Sequence, residues 1–314
     1  MLRFIAARLA GTVPVVVVLS LAVFLMLHLT PGDPVQIMLG QDATPEAIVA
    51  LRAELGLDQP LPMQYLRWAA NALRGDLGNS IRTHEPVSNA IISRLPVTIE
   101  LSIAALLISL VIGLPAGIIA ATHRNGSLDL AGTGVALLGV SLPSFFLGIL
   151  LILVFAQWLR WVPPSGYTPL LQDPLMNLKQ MIMPALALGA ALAGIVTRQM
   201  RSSLLDVLDA EFMRTARAKG LMESAVVVGH GMRNALLPVV TVIGLQVGTL
   251  LGGTILIETI FALPGVGRLA VDSIFARDFP IVQGVVLFLA LVRVLSNLAA
   301  DLLYGRLDPR IAHG

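Results

Sequence analysis

Residues 97–121 read VTIELSIAALLISLVIGLPAGIIAA, and Glu100 is the only charged side chain among them. A helix rises about 1.5 Å per residue, so this run can cross the roughly 30 Å of hydrocarbon in a bilayer. Lipid offers the backbone no hydrogen-bond partners, which makes a helix the expected form. Five further apolar runs lie at 9–29, 130–157, 181–198, 235–257 and 280–304. The run at 130–157 carries Pro143, a point of tilt or breakage, and the run at 181–198 is short. Composition agrees with a membrane protein: 56% of residues are hydrophobic, 13% are charged, and the mean hydropathy is +0.84. Ordinary soluble domains carry about 25% charged residues. The net charge of +2 is too small to point to nucleic acid. Arg3 and Arg8 precede the first run as in a signal peptide. That run is too long for the usual signal core, and no small-x-small cleavage site follows it, so it is expected to stay as a helix.

Orientation follows the bias of lysine and arginine toward cytoplasmic loops. With the N-terminus inside, the inner segments hold Arg3, Arg8, Arg124, Arg198, Arg201, Arg214, Arg217, Lys219, Arg233, Arg306 and Arg310, whereas the short outer loops hold Arg160, Lys179, Arg268 and Arg277. Six spans with both termini cytoplasmic is the better topology. The outer segment 30–95 reads as two short helices. TPEAIVALRAELG (44–56) has Thr44 as cap, Pro45 at the first helical position and Gly56 as stop; LPMQYLRWAANALRG (61–75) repeats the pattern with Pro62 and Gly75. Leu66, Ala69, Ala70 and Leu73 form an apolar stripe on the second. Such a segment serves either as a lid on the outer ends of the spans or as a dock for an extracytoplasmic partner.

Several chemistries are excluded. The chain has two lysines, Lys179 and Lys219, and no G-x-x-x-x-G-K-[ST], so it does not hold ATP by a phosphate-binding loop. It has no cysteine, no H-E-x-x-H and no G-x-S-x-G, and its histidines (28, 84, 123, 230 and 313) form no helical pair suited to zinc. No catalytic or metal-binding residues are expected, and no cofactor in this chain. A secondary transporter or channel subunit is the rival reading, but the ionisable residues such a carrier would need within its spans are few. Glu100, Glu258 and Asp301 lie near span ends and Arg293 alone lies deep.

One segment is out of character. DVLDAEFMRTARAKG (206–220) gathers Glu211, Arg214, Arg217 and Lys219 into a short helix in the cytoplasm. Asp209 can cap it, Glu211 suits its positive end, Arg217 and Lys219 suit its negative end, and Gly220 suits a left-handed stop. Val207, Leu208, Phe212 and Ala216 are placed to face the membrane, leaving Arg214, Arg217 and Lys219 outward. By itself this is an ordinary basic interfacial helix.

RTARAKG (214–220), followed by RNALLP (233–238), resembles the cytoplasmic loop signature of ABC-importer permeases, and more narrowly of the dipeptide/oligopeptide/nickel permease family. The likeness runs along the chain through TPGDP (30–34), LGLDQPLPMQY (55–65), GDLGNSI (75–81), RLPVTIEL (94–101), SLPSFFLG (141–148), WVPPSGY (161–167), ETIFALPGVGRL (258–269), RDFPIVQG (277–284) and NLAADLLYGRLDPRI (297–311). The resemblance implies an all-α polytopic fold of the type I ABC-importer permease kind, in a bacterial inner membrane. It implies a second permease subunit, two ATP-binding subunits that hold ATP and magnesium, and an extracytoplasmic solute-binding protein. The cytoplasmic loop would be a coupling helix docked on an ATPase subunit, with Glu211, Arg214, Thr215, Ala216, Arg217, Ala218, Lys219 and Gly220 at the contact. Ala216 and Ala218 would permit close approach. The segment LMESAVVVGHGMRN (221–234) departs from the family pattern, being more apolar and glycine-broken.

The fifth run places Gly244, Gly248 and Gly252 on one face, with Gln246 its polar side chain at depth; Gly113 and Gly117 repeat this spacing in the second. The face serves either packing within the subunit or, as the resemblance favours, the translocation path between subunits. A deep arginine costs roughly 2.5–3.5 kcal/mol on insertion scales. Arg293, with Asn297 one turn on, is therefore expected to meet a watery cavity or a carboxylate of a partner subunit. Outside, Glu258 is followed by Pro264 and Gly265, which suit a type II turn, then by Gly267 and a short helix over 267–277; this is either an outer gate or a tight loop. The chain thus divides into a first span (1–29), an outer helical segment (30–95) and a five-span core (96–314) with a coupling loop at 199–234. The expected cargo is a peptide or another small polar solute such as glutathione, with nickel chelates less favoured.

Overall fold

The computed structural model describes residues 2–29, 35, 39, 44–54 and 57–307. Gly56, the motif at 30–34 and the residues 308–314 lie outside them. In chain order the helices are α1 (Leu2–Leu29), α2 (Pro45–Glu54), α3 (Leu61–Leu73), α4 (Val87–Thr122), α5 (Ser127–Ser141), and α6 (Ser144–Leu151) running on as a π-helical stretch Ile152–Trp158. Then come α7 (Pro174–Leu208), α8 (Glu211–Ala218), a turn Glu223–Ala225 and π-helical Val226–Gly231 leading into α9 (Met232–Ile260), α10 (Val266–Phe275) and α11 (Phe279–Leu307). Among the described residues there is no strand beyond one isolated pairing, Asn79 with Pro86.

Four helical stretches are long and apolar enough to cross a membrane: Val87–Thr122, Pro174–Leu208, Glu223–Gln246 and Phe279–Ala299. α5 and α6 pass the same test together but meet at 102°. The break falls at Leu142–Pro143, where both residues are extended (Leu142 ψ 125°, Pro143 ψ 136°). Proline's ring disfavours the helical conformation in the residue before it, which places the bend there. α1 carries the apolar stretch Ala10–Met26 within the residues whose side chains are described.

The span expected to be short is the hub. α7 has 35 residues rather than the 18 of its apolar run, because Pro174 sits at its first turn and the Asp173 carboxylate accepts the N–H groups of Leu175 and Met176 (3.1 and 3.0 Å). It packs against α4, α5, α6 and α9, and Met183, Val196, Met200 and Leu204 along it are fully buried. Small residues bring α4 to backbone contact with it. A Cβ on Gly117 would lie 2.7 Å from the Thr197 carbonyl, and one on Gly189 would lie 2.6 Å from that of Ala105. In lipid, where apolar burial does not drive helices together, such close packing is what holds them.

α1 stands at the edge, against α11 and α3. Gln283 donates through Nε2 to the carbonyls of Val23 (3.2 Å) and Phe24 (3.5 Å). α3 begins after Pro60 and ends at Gly75 in the left-handed region (φ 84°), as its sequence predicts. It packs on the second half of α1: Tyr65 and Ser20 share a 2.8 Å hydrogen bond, and the Tyr65 and Trp68 rings lie 5.5 and 5.9 Å from Phe24.

Candidate functional site

α8 is held at the end of α7 by its own apolar face. Met213 is fully buried and Ala216 nearly so, packed with Val226 and against Val207 and Leu208. Val207, Leu208 and Ala216 lie on the packed face as expected, but Met213 and not Phe212 completes it, Phe212 being exposed. Residue pairs three and four apart both share a helix face, and the π-helical Val226 selects the 213/216 pair. Ala216 is consequently used up inside the chain, while Ala218 is exposed. Asp209 is not the cap either. It ends α7 and pairs with Arg124 (3.3 Å), and Ala210 precedes α8. Gly220 does take the left-handed conformation (φ 78°).

The cations differ in what they are free to do. Arg217 turns back on its own loop, bonding Glu223 Oε1 at 2.8 Å through Nη2 and Oε2 at 3.1 Å through Nε, and it reaches the Leu208 carbonyl. Arg214 makes a loose pair with Glu211 (3.3 Å), both well exposed. The open face of α8 is therefore Glu211, Arg214, Thr215, Ala218 and Lys219, running into Gly220.

The connection from α9 to α10 is built in the opposite way. Glu258 is completely buried. Its carboxylate accepts the Thr98 hydroxyl (2.8 Å) and the Arg268 N–H (2.9 Å), and Thr98 Oγ1 in turn accepts the Val266 N–H (2.9 Å). The N-terminal N–H groups of a helix lack intrahelical partners and favour negative charge, so Glu258 and Thr98 together seat α10 on α9 and α4. The expected type II turn is absent. It would need Gly265 at positive φ, but Gly265 is extended (φ −95°, ψ 178°), and Ala262 takes the left-handed position (φ 54°). The glycine is required for space instead, since a Cβ there would overlap the Glu258 carboxyl group. Pro264 is exposed beside it, and Gly267 lies where a Cβ would be 2.7 Å from Ile255 Cα. α10 itself, Val266–Phe275, falls close to the helix read from the sequence.

Of the glycines on the fifth span, Gly248 packs within the subunit. A Cβ there would meet Ser296 Cβ at 3.1 Å, beside Asn297 and the Arg293 carbonyl on α11. Gly252 faces open space, and Gly244 and Gln246 are half-buried. Arg293 and Asn297 are exposed in the single chain.

Three polar nodes escaped the sequence reading. Asp129 on α5 takes a two-pronged hydrogen bond from Arg201 on α7 (2.6 and 2.7 Å) and also accepts the Asn125 N–H (2.9 Å). Glu100 accepts from Tyr167 Oη (2.8 Å) and Asn177 Nδ2 (2.6 Å); burial first, and this carboxylate second, push the phenol up to about 12. Asp278 accepts the Ser80 hydroxyl. Each joins residues 67 or more positions apart, a separation across which no local pattern carries a signal.

Comparison with known proteins bears on these elements. Residues 1–102 match the N-terminal model for binding-protein-dependent transport system membrane components, and residues 113–313 match the model for the binding-protein-dependent transport system inner membrane component. The chain is 44% identical to a putative peptide transport system permease protein of Brucella suis biovar 1, covering 99% of each. It is 43% identical to the glutathione transport system permease protein GsiC of Escherichia coli K12, covering both completely. In fold it is similar to a chain of the MetNI methionine ABC transporter in an inward-facing conformation, with a TM-score of 0.57 at 17% identity over 69% of this chain and 95% of the other. With family models matched over nearly its whole length, the chain belongs to the binding-protein-dependent transport system inner membrane component family.

Proposed function

We propose that this permease is the membrane-spanning half of a peptide-class importer driven by separate ATPase subunits. It crosses the membrane six times with both termini cytoplasmic: α1, α4, the bent α5–α6 pair, α7, α9 and α11. Residues 30–95 lie outside, and 199–234 form the coupling loop. ATP and magnesium stay in the two partner ATPase subunits. A second permease subunit completes the path, and a solute-binding protein delivers the cargo, a peptide or a comparable small polar solute such as glutathione. The bias of arginine toward the inner segments and the 43–44% identity to peptide and glutathione permeases support this reading.

The observation that carries it is the two-faced α8. Its inner face is keyed by Met213 to the end of α7, and its outer face is charged and uncovered. An ATPase subunit gripping Glu211, Arg214, Thr215, Ala218 and Lys219 would move α8, and through it the helix that contacts most of the bundle. Gln246, Gly252, Arg293 and Asn297 would then face the path or the second permease, while α10 and Glu258 stay with the outer ends of α4 and α9. The test is flux into proteoliposomes. Solute entry should need ATP, the ATPase subunits and the binding protein together; entry through the permease alone would make it a channel or secondary carrier.

A further inference from the structure

α3 leaves an apolar stripe exposed. Met63, Leu66 and Leu73 are 54, 61 and 90% exposed, and Ala70 is exposed between them. The spacing i, i+3, i+7, i+10 puts the four on one side of the helix. Its other side carries Tyr65 and Trp68 onto Phe24 of α1. Two contacts set the level of α3 along α1. Ser20, which bonds Tyr65, lies nine residues inside the end of α1 at Leu29, or about 14 Å. Phe24 is level with Gln283, four residues or about 6 Å inside the start of α11. α3 therefore sits beside the later turns of α1 and not above them. α1 has an exposed apolar flank of its own, where Val17, Val18 and Leu21 are 48, 65 and 41% exposed. Arg67 and Arg74 are exposed at the margin of the stripe.

From this juxtaposition we infer that α3 is an interfacial helix, lying in the outer leaflet with Met63, Leu66, Ala70 and Leu73 among the acyl chains and Arg67 and Arg74 at the phosphates. An amphipathic helix with aromatic and basic residues at its margins is suited to that boundary. Lipid is the occupant because the level of the helix leaves its open side facing the same medium as the flank of α1. α3 would tether the outer segment to the membrane surface. The inference rests on α1 spanning the membrane, and the test separates the two.

The chain has no cysteine, so single-cysteine variants can be labelled directly. Met63→Cys, Leu66→Cys and Leu73→Cys, with Val18→Cys as the α1 reference, would carry an environment-sensitive fluorophore. The full complex would be placed in nanodiscs of phosphatidylethanolamine and phosphatidylglycerol, with and without brominated acyl chains. All four labels should show blue-shifted emission and lose intensity to the brominated lipid. If Val18 is quenched while Leu66 and Leu73 respond to aqueous iodide instead, the stripe faces water and the proposal fails. If those labels respond to neither quencher, or lose lipid contact when the binding protein is added, a protein covers the stripe and the proposal also fails. An unquenched Val18 label would overturn the spanning α1 itself.

Discussion

The two connectors flanking α9 are both short helices between long ones, and they are opposites in chemistry. Between α9 and α11 two carboxylates are inside, although Arg268 and Asp272 pair at the surface: Glu258 is fully buried, its carboxylate held by Thr98 and the α10 backbone, and Asp278 is buried against Ser80. Between α7 and α9 the charge is outside, with Glu211 and Arg214 exposed while apolar residues such as Met213, Ala216, Val226 and Val227 are sealed. A buried carboxylate with its donors in place fixes geometry, because every displacement leaves a group without a partner. Exposed ion pairs hold little and are readily exchanged for partners on another protein. One connector is tied into the spans, and the other keeps its charge at the surface.

The strongest way to break this contrast is Glu258→Leu. It strands the Thr98 hydroxyl and the Arg268 N–H, at about 1–3 kcal/mol each, so thermal unfolding of the purified permease should show a loss of about 2–6 kcal/mol. A loss below about 1 kcal/mol would mean that the node is not structural. Met213→Ala should cost about 2 kcal/mol or more through the cavity it leaves, and it should also uncouple transport, because α8 loses its key in the end of α7. Transport at the parental rate would show that α8 transmits motion by another contact. Gly265→Ala comes next, at about 1–3 kcal/mol from overpacking against Glu258. In a Glu258→Ala background its cost should shrink, since residues in contact are not additive; full additivity would remove the steric account of that glycine. The smallest effect on stability belongs to Lys219→Glu, within about 0.5 kcal/mol for an exposed site. The same change should weaken co-purification with the ATPase subunits, and unaltered co-purification would take Lys219 out of the contact.

Local chemistry was legible where a residue acts through its own backbone. Gly220 and Gly75 stop their helices at positive φ, the chain breaks at Pro143, and a helix follows Gly265. The sequence misleads where a choice depends on distant chain. Whether Phe212 or Met213 turns inward depends on Val226, reached only after Gly220 has redirected the chain. Gly265 looks like a turn glycine, and its real constraint is a carboxylate seven residues earlier. Asp129 carries no local signal, because its partner Arg201 lies 72 residues away.

The amino-acid sequence by itself determined the medium and the family of this protein: long uncharged runs have no stable home outside lipid, and motifs in order along the chain mark shared descent. Only the tertiary structure decided which charges are anchors and which are offered to a partner, because that depends on donors and apolar neighbours supplied from up to about 200 residues away.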